Sequence, residues 1–246
     1  MRRLATGDLL ALWEQGAAQS DVERALLLLA AACPDRPRDA LADLSIGERD
    51  WSLLELRERI FGTTLEGLAT CAQCQAMLDL AFTVDDVRGA ASNRSTAEPA
   101  LSVQADGYDL RIRLPNSRDL EVAAAANSLP EARRRLFERC VLDARRDGAV
   151  CRADDVPEEI VQMAEARMAE ADPQGDLQLS IACPHCGHRW QAGFDIVSFF
   201  WSEIHAWAFR LLQDVHVLAS AYGWREAEIL ALSPRRRQAY LELVGP

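Results

Sequence analysis

The chain contains no lysine, so arginine, the side chain best suited to fixed ion pairs, supplies all 27 basic residues. It also lacks any apolar run near the roughly 20 residues that a membrane-spanning helix needs, which excludes insertion into a membrane. Carboxylates outnumber arginines, and the net charge of -11 repels the phosphates of a nucleic acid. We therefore expect neither a membrane nor a nucleic acid as a partner.

The motifs of the common enzyme classes are missing as well. The sequence has no phosphate-binding glycine loop, no nucleophile elbow and no HExxH motif. Two of its four histidines, His205 and His216, fall on one face of a predicted helix, where we expect them to pack between helices rather than to form an acid–base pair. Asp8 and Glu14 interrupt the start of the chain, which does not resemble a secretion signal. A non-enzymatic cytoplasmic protein is expected.

The seven cysteines are an odd number, which argues against a disulfide framework in a chain of 246 residues. Three of them lie in or beside helical patterns, where a thiol packs as a small apolar side chain: Cys33, Cys140 and Cys151. The other four form two CxxC pairs: Cys71 with Cys74, and Cys183 with Cys186.

The two CxxC pairs belong to an internal repeat with an offset of 112 residues. The segment TCAQCQAMLDLAFTVDDV aligns without a gap on ACPHCGHRWQAGFDIVSF. After the second cysteine of each copy, apolar residues alternate with mostly polar ones, which predicts a strand with one buried face. Each copy is therefore expected to be a metal-binding knuckle followed by a strand, and the two copies together a zinc-ribbon-like unit.

Four thiolates in a tetrahedral arrangement suit zinc and leave no position for a catalytic water. We therefore expect one structural zinc ion, bound by Cys71, Cys74, Cys183 and Cys186. Two unrelated pairs or a redox dithiol are the alternatives, although a redox CxxC is typically followed by a helix rather than a strand.

The two knuckles differ in sequence beside the cysteines. Gln75 stands where the second knuckle has Gly187, so we expect Gln75 to adopt a conformation that glycine prefers. His185 and His188 lie beside the second pair and could replace a ligand, but we expect them to be solvated loop residues.

Helical and strand patterns together predict an α+β fold. Capping boxes at Ser20 and Ser45 begin N-terminal helices. After the first knuckle strand come a polar loop, GAASNRSTAEP, and a hairpin centred on Asp106-Gly107. Further helices are predicted over about 118–126, 130–145 and 157–171.

These patterns divide the chain into a helical N-terminal region, the two halves of a discontinuous zinc-ribbon-like unit, a helical insertion between the halves, and a helical C-terminal tail. The predicted segments are, in chain order, 1–70, 71–116 with the hairpin, 117–173 as the insertion, 174–197 and 198–246.

The C-terminal tail holds eight of the sixteen aromatic residues. Three arginines occupy the first turn of its last predicted helix, where each opposes the helix dipole by roughly 0.3–1 kcal/mol if exposed. They either pair with Glu226 and Glu228 or meet an acidic partner. Arginine and aromatic side chains dominate interface hot spots, which predicts a partner-binding set. Its members are Trp224, Arg235, Arg236, Arg237 and Tyr240.

Four features together resemble the baseplate proteins of contractile-tailed bacteriophages and of the related phage-derived contractile injection systems. They are the segments LALWEQG and IGERDWSLLELRERIFG, the paired CxxC motifs, and the closing segment YGWREAEILALSPRRRQAYLELV, which is the most specific. The resemblance covers most of the chain.

This resemblance implies a non-enzymatic structural or assembly role, in contact with other baseplate or tail proteins. The protein would be in the bacterial cytoplasm during assembly, and would either remain in the particle or act as a transient assembly chaperone. The alternative from another class is a nucleic-acid-binding zinc-ribbon module, against which the acidity of the chain speaks.

Overall fold

A computed structural model describes residues 1–88 and 100–245 of the chain. The predicted loop GAASNRSTAEP, residues 89–99, lies outside the described residues. The helices are α1 (Thr6–Gly16), α2 (Asp21–Ala32), α3 (Arg38–Ala42), α4 (Ile46–Phe61), α5 (Val84–Arg88), α6 (Ser117–Ala124), α7 (Leu129–Cys140), α8 (Glu158–Ala171), α9 (Ile196–Tyr222), α10 (Glu226–Leu230) and α11 (Pro234–Val244). The strands are β1 (Thr64–Thr70), β2 (Met77–Thr83), β3 (Leu101–Ala105), β4 (Tyr108–Ile112), β5 (Val141–Arg146), β6 (Ala149–Val150), β7 (Gln178–Ala182) and β8 (Arg189–Gly193). The predicted α+β fold is confirmed.

The largest core packs the N-terminal helices against the first half of α9. Ser20 and Ser45 accept the backbone N–H groups of Glu23 and Glu48, as the capping patterns predict. The core itself is made of leucines from α2 and α4 and of apolar residues from α9, among them Leu28, Leu29, Leu53, Leu54, Phe200 and Ile204, all fully buried. Each such side chain stabilises the fold by about 1.5–3 kcal/mol relative to an exposed one.

The predicted hairpin at Asp106-Gly107 is confirmed. Both turn residues have positive φ, 49° and 80°, as a two-residue turn of this kind requires, and β3 pairs with β4 in antiparallel register. These strands do not join those of the knuckles. They form a four-stranded sheet of order β3-β4-β5-β6, whose core includes residues of α7 and α8.

The prediction of helix up to Arg145 was wrong at its C-terminal end. The helix α7 ends at Cys140, and β5 follows, pairs with β4 and returns as β6 through Asp147-Gly148. The arginine-rich segment has adequate helix propensity, but pairing with β4 buries Ala144 against the second core and prevails. The segment 117–173 is therefore not helical throughout.

The knuckle strands form two separate hairpins, β1–β2 and β7–β8. The strand β1 lies inside the segment 1–70, for which helices alone were predicted, while β7 lies where the sequence predicted a strand. The division of the chain into five segments stays a prediction.

The C-terminal tail is a helical unit, as expected. The helix α9 runs for 27 residues and ends at Gly223, which has the left-handed φ of 66° that suits glycine. The helices α10 and α11 fold back onto its second half around a small core of Val215, Leu218 and Ile229. In the part of the chain that the structure describes, no helix combines the length and apolar character that crossing a membrane requires.

Candidate metal centre

Each CxxC pair occupies the turn of one hairpin. In the first, the Cys71 N–H donates to Ala76 O at 2.9 Å, and the Gln75 N–H donates to Cys71 O at 2.9 Å. The same two bonds recur in the second hairpin at the offset of the sequence repeat, from Cys183 N–H to His188 O (2.8 Å) and from Gly187 N–H to Cys183 O (2.9 Å). The sequence repeat is therefore also a repeat of backbone structure.

The expected conformation of Gln75 is confirmed. Its φ is 57°, close to the 73° of Gly187 at the equivalent position. A residue with a Cβ atom adopts this left-handed region at a cost of roughly 1–2 kcal/mol. The Gln75 side chain offsets part of that cost by donating to Ala72 O at 3.1 Å.

The structure brings the four predicted cysteines together. Their sulfur atoms all lie within 4.8 Å of one another. Across the two hairpins, Cys71 Sγ is 3.7 Å from Cys186 Sγ, and Cys74 Sγ is 3.6 Å from Cys183 Sγ. Tetrahedral metal–sulfur bonds near 2.3 Å separate neighbouring sulfurs by about 3.8 Å. Four thiolates at these distances can hold a metal ion with little rearrangement.

The cysteines differ in burial in the same way within each pair. Cys71 and Cys183 are buried, whereas Cys74 and Cys186 are exposed. The two buried residues belong to a small core with Leu78 of β2 and Ile181 of β7. Both hairpins contribute to this core, so the sulfur cluster lies where the two halves of the repeat pack against each other.

Backbone N–H groups act directly on the sulfurs. Those of Cys74 and Gln73 lower the pKa of the Cys71 thiol to about 7. The N–H of His188 acts in the same direction on Cys186, but partial loss of solvent around its sulfur and the three neighbouring thiols together raise the pKa of Cys186 to about 12. Adjacent thiolates repel each other, and a bound cation removes that repulsion and deprotonates its ligands. The donor set and its surroundings therefore suit a thiolate-bound cation.

The two neighbouring histidines are not part of the cluster. His185 is exposed, and the ring of His188 stacks on Trp190 with centroids 5.5 Å apart. The three other cysteines pack as expected. Cys33 lies against the largest core, Cys151 lies against the core of the four-stranded sheet, and burial raises the pKa of Cys140 to about 12.

The predicted tail residues divide into two groups. Trp224 and Tyr240 pack against each other edge to face, with ring centroids 4.8 Å apart, at the small core of the tail. Arg235 and Arg236 are exposed, and neither forms an ion pair with a carboxylate of residues 1–88 or 100–245.

Arg237 differs from its two neighbours because it is buried and donates to Asp214 of α9 at 3.2 Å. Of the two alternatives for these arginines, pairing with Glu226 and Glu228 is not found among the described residues, where Glu228 instead caps α10 by accepting the Arg225 N–H. Asp214 precedes Arg237 by 23 residues, so no local spacing could have identified it.

The family model described as T4 bacteriophage base plate protein matches residues 6–201. The match runs from α1 to the first turns of α9 and includes both CxxC pairs, whereas the rest of the tail lies beyond it. No curated protein and no solved structure gives a match. Because the matched segment is most of the chain, the resemblance seen in the sequence is confirmed, and this chain belongs to the T4 bacteriophage base plate protein family.

Proposed function

We propose that this chain is a non-enzymatic structural or assembly subunit of the baseplate of a contractile tail or injection system, stabilised by one zinc ion. Membership of the baseplate family carries the first part of the proposal. The sulfur cluster supports the second, with Cys71, Cys74, Cys183 and Cys186 as the ligands.

The choice of zinc follows from the donor set. Four thiolates in tetrahedral array are a common structural zinc site, and they select against magnesium, calcium and manganese, which prefer oxygen ligands. Four protein ligands also close the coordination sphere, so the ion has no open position for water or a substrate. A metal bound in this way stabilises the fold and leaves no place for metal-centred catalysis.

The position of the site in the chain explains what the metal would stabilise. The four-stranded sheet with α7 and α8 lies between the first and second hairpins in sequence. A metal shared by both hairpins ties together the two ends of that inserted segment, so metal binding offsets the entropy lost in closing this long loop. Loss of the metal is therefore expected to separate the hairpins and loosen the attachment of the inserted sheet.

We propose that the tail contributes a docking surface for another baseplate or tail protein. Arg235 and Arg236 remain exposed beside Tyr240, with the Arg236 guanidinium 6.0 Å from the centroid of its ring. From residue 198 onwards the chain has five arginines and five carboxylates, so the tail is neutral on a protein with a net charge of -11. An acidic partner surface is the complement that these two arginines favour.

Affinity purification of the tagged chain from bacteria that produce the particle tests this function. We expect baseplate or tail subunits to co-purify early in assembly. Persistence at a late stage would identify a subunit of the finished particle, and loss at that stage a transient assembly chaperone. Failure to recover any such subunit at either stage would contradict the proposal.

The tail surface is tested in the same purification with Arg236→Glu. Arg152→Glu is the matched control, because Arg152 is also an exposed arginine, with 80% of its side chain accessible. We expect Arg236→Glu to lower recovery of the partner and Arg152→Glu to leave it unchanged. Equal recovery with both variants would remove the tail from the proposed interface.

A further inference from the structure

A groove of about 510 Å³ runs between the two knuckle hairpins. It is lined by consecutive residues of β2 and β7, 79–82 and 178–182, together with Asp86. Among the described residues, β2 pairs only with β1, and β7 pairs only with β8. Both strands therefore border the groove along an edge that no described strand of the chain occupies.

The hydrogen bonds at the end of β2 show which backbone groups face away from β1. The Val84 N–H donates to Thr63 O at 2.9 Å, next to β1, whereas the Thr83 N–H donates to the Asp86 carboxylate at 2.7 Å. Successive residues of an antiparallel strand direct their backbone groups to opposite sides. The N–H and C=O groups of Ala81 and Asp79 therefore point the same way as those of Thr83, toward the open edge.

One face of the first hairpin packs against α9. On that face, which also carries Phe82, a Cβ atom added at Gly67 of β1 would lie 3.8 Å from the Phe199 ring of α9. The backbone groups of Asp79 and Ala81 at the β2 edge form no hydrogen bond within residues 1–88 and 100–245. An unpaired strand edge of this kind is a template for an extended segment of another chain.

The side chains around the groove indicate which segment would fit. Its walls carry apolar residues from both hairpins, Leu80, Phe82, Leu179 and Ile181. Its rim carries Asp79, which is exposed on the outer face of β2. An added strand would therefore place apolar side chains inward at every second position and a basic side chain outward, opposite Asp79.

We propose that the β2 edge of this groove binds an extended segment of a partner protein, in which apolar residues alternate with polar ones and include an arginine or lysine. The identity of that partner as a baseplate or tail protein rests on the proposed function. Strand addition to this edge is independent of the proposed function, because it follows from the free backbone groups, the apolar walls and the charge of Asp79.

The binding can be measured with the purified full-length chain and a probe peptide, acetyl-TVRVTV-amide labelled with fluorescein. We expect saturable binding with a dissociation constant of about 1 mM or lower. We also expect slower hydrogen exchange at the amides of Asp79 and Ala81 when the peptide is bound. Absence of binding would overturn the inference, as would binding that leaves these amides unprotected.

Two variants and one control test the edge and its charge. Ala81→Pro removes the central N–H of the open edge at a position that β1 does not use, so it should abolish binding. Asp79→Arg should weaken binding of the peptide by about fivefold or more and improve binding of the peptide TVEVTV. Glu121→Arg changes the net charge equally at an exposed position of α6 that does not line the groove, and it should have little effect.

Unchanged far-UV circular dichroism and metal content will show that each variant is folded. If Asp79→Arg and Glu121→Arg act alike, the peptide responds to net charge, and the proposed pairing with Asp79 is wrong. A second copy of the chain is a competing occupant. It would appear in sedimentation as a concentration-dependent dimer that Ala81→Pro abolishes, and this result would overturn assignment of the edge to a partner protein. A missing baseplate partner in cells would instead contradict the proposed function alone.

Discussion

Arg237 of α11 and Asp214 of α9 form an ion pair of 3.2 Å, in which only 9% of the arginine side chain is accessible to solvent. The pair ties the last helix to the second half of α9, beside the small core of Val215 and Leu218. It converts one of three adjacent arginines from a surface charge into a fixed internal contact, whereas Arg235 and Arg236 remain exposed.

The variants Arg237→Ala and Arg236→Ala should therefore behave differently. Removing Arg237 leaves the half-buried Asp214 carboxylate without its partner, and we expect a loss of about 1–3 kcal/mol in the free energy of unfolding of the tail. Arg236→Ala should change this free energy by less than about 0.5 kcal/mol. Urea unfolding followed by tryptophan fluorescence measures both. Equal effects of the two variants would show that the ion pair is not structurally important.

The two knuckles offer a matched test of backbone strain. Gly187→Gln forces a side chain into the left-handed region and should destabilise the protein by about 1 kcal/mol. Gln75→Gly relieves the same strain, but it also frees the unfolded chain and removes the bond to Ala72. It should therefore stabilise the protein by only roughly a few tenths of a kcal/mol. Thermal unfolding of the metal-bound proteins shows whether each variant is more or less stable than the wild type. A stabilised Gly187→Gln variant would contradict the structural equivalence of the knuckles.

Gly47, near the start of α4, tests how the inserted segment is attached. Its N–H donates to the Asp172 carboxylate at 2.8 Å, and a Cβ atom there would lie only 1.9 Å from Asp172 Oδ1. We expect Gly47→Ala to displace Asp172 and lower the free energy of unfolding by about 1–3 kcal/mol. Gly7→Ala in α1, where no atom lies within 4 Å of the added methyl group, should instead raise it by less than about 1 kcal/mol. Guanidinium titrations measure the free energy of unfolding of both variants. Changes of the same sign in the two variants would contradict this contact.

The raised pKa of Asp50 predicts how the free energy of unfolding depends on pH. Burial, with smaller contributions from Asp195 and Asp172, raises its pKa to about 6 against the opposing effect of Arg49. Between about pH 4 and pH 6, the folded protein therefore retains a proton that the unfolded chain has largely lost. The contribution of Asp50 to stability is fully present below about pH 4, falls as the pH rises through this window, and is level above it.

The variant Asp50→Asn resembles the protonated carboxyl and should not have this slope. We expect the wild type to lose on the order of 3 kcal/mol relative to Asp50→Asn between about pH 4 and pH 7. Both proteins carry the same cysteines, so metal release in acid affects them alike and cancels in the difference. Urea unfolding across this range measures it. Parallel curves for the two proteins would contradict the raised pKa.

Features set by neighbouring residues could be predicted from the sequence. The spacing of the cysteines within each pair and the preference of Asp106-Gly107 for positive φ each depend on only a few adjacent positions. The ungapped repeat compares two such local patterns, 112 residues apart. The same turn signal recurs at Asp147-Gly148, and it could have identified β5 and β6. The arginines before it favoured a helix, and only the pairing partner β4 decides against one.

Contacts between distant residues could not be predicted in this way. Arg57 is 2% exposed and binds Glu203 of α9 through two hydrogen bonds, yet 146 residues separate them. The Gly47–Asp172 contact is similarly remote in sequence. A local pattern shows that a charge is present, but the choice of partner depends on how the helices pack.

Native mass spectrometry of the tagged chain, isolated from cells that assemble the particle, tests most directly whether this is a zinc-stabilised baseplate subunit. We predict one zinc ion per chain and a complex with at least one other baseplate or tail protein. Cys183→Ser should lose both the ion and the folding energy that ion binding supplies, which is roughly 10–16 kcal/mol in zinc-finger peptides. Cys151→Ser, outside the cluster, should retain both. A folded chain that carries no metal, or a Cys183→Ser variant with unchanged metal content and melting temperature, would contradict the assignment.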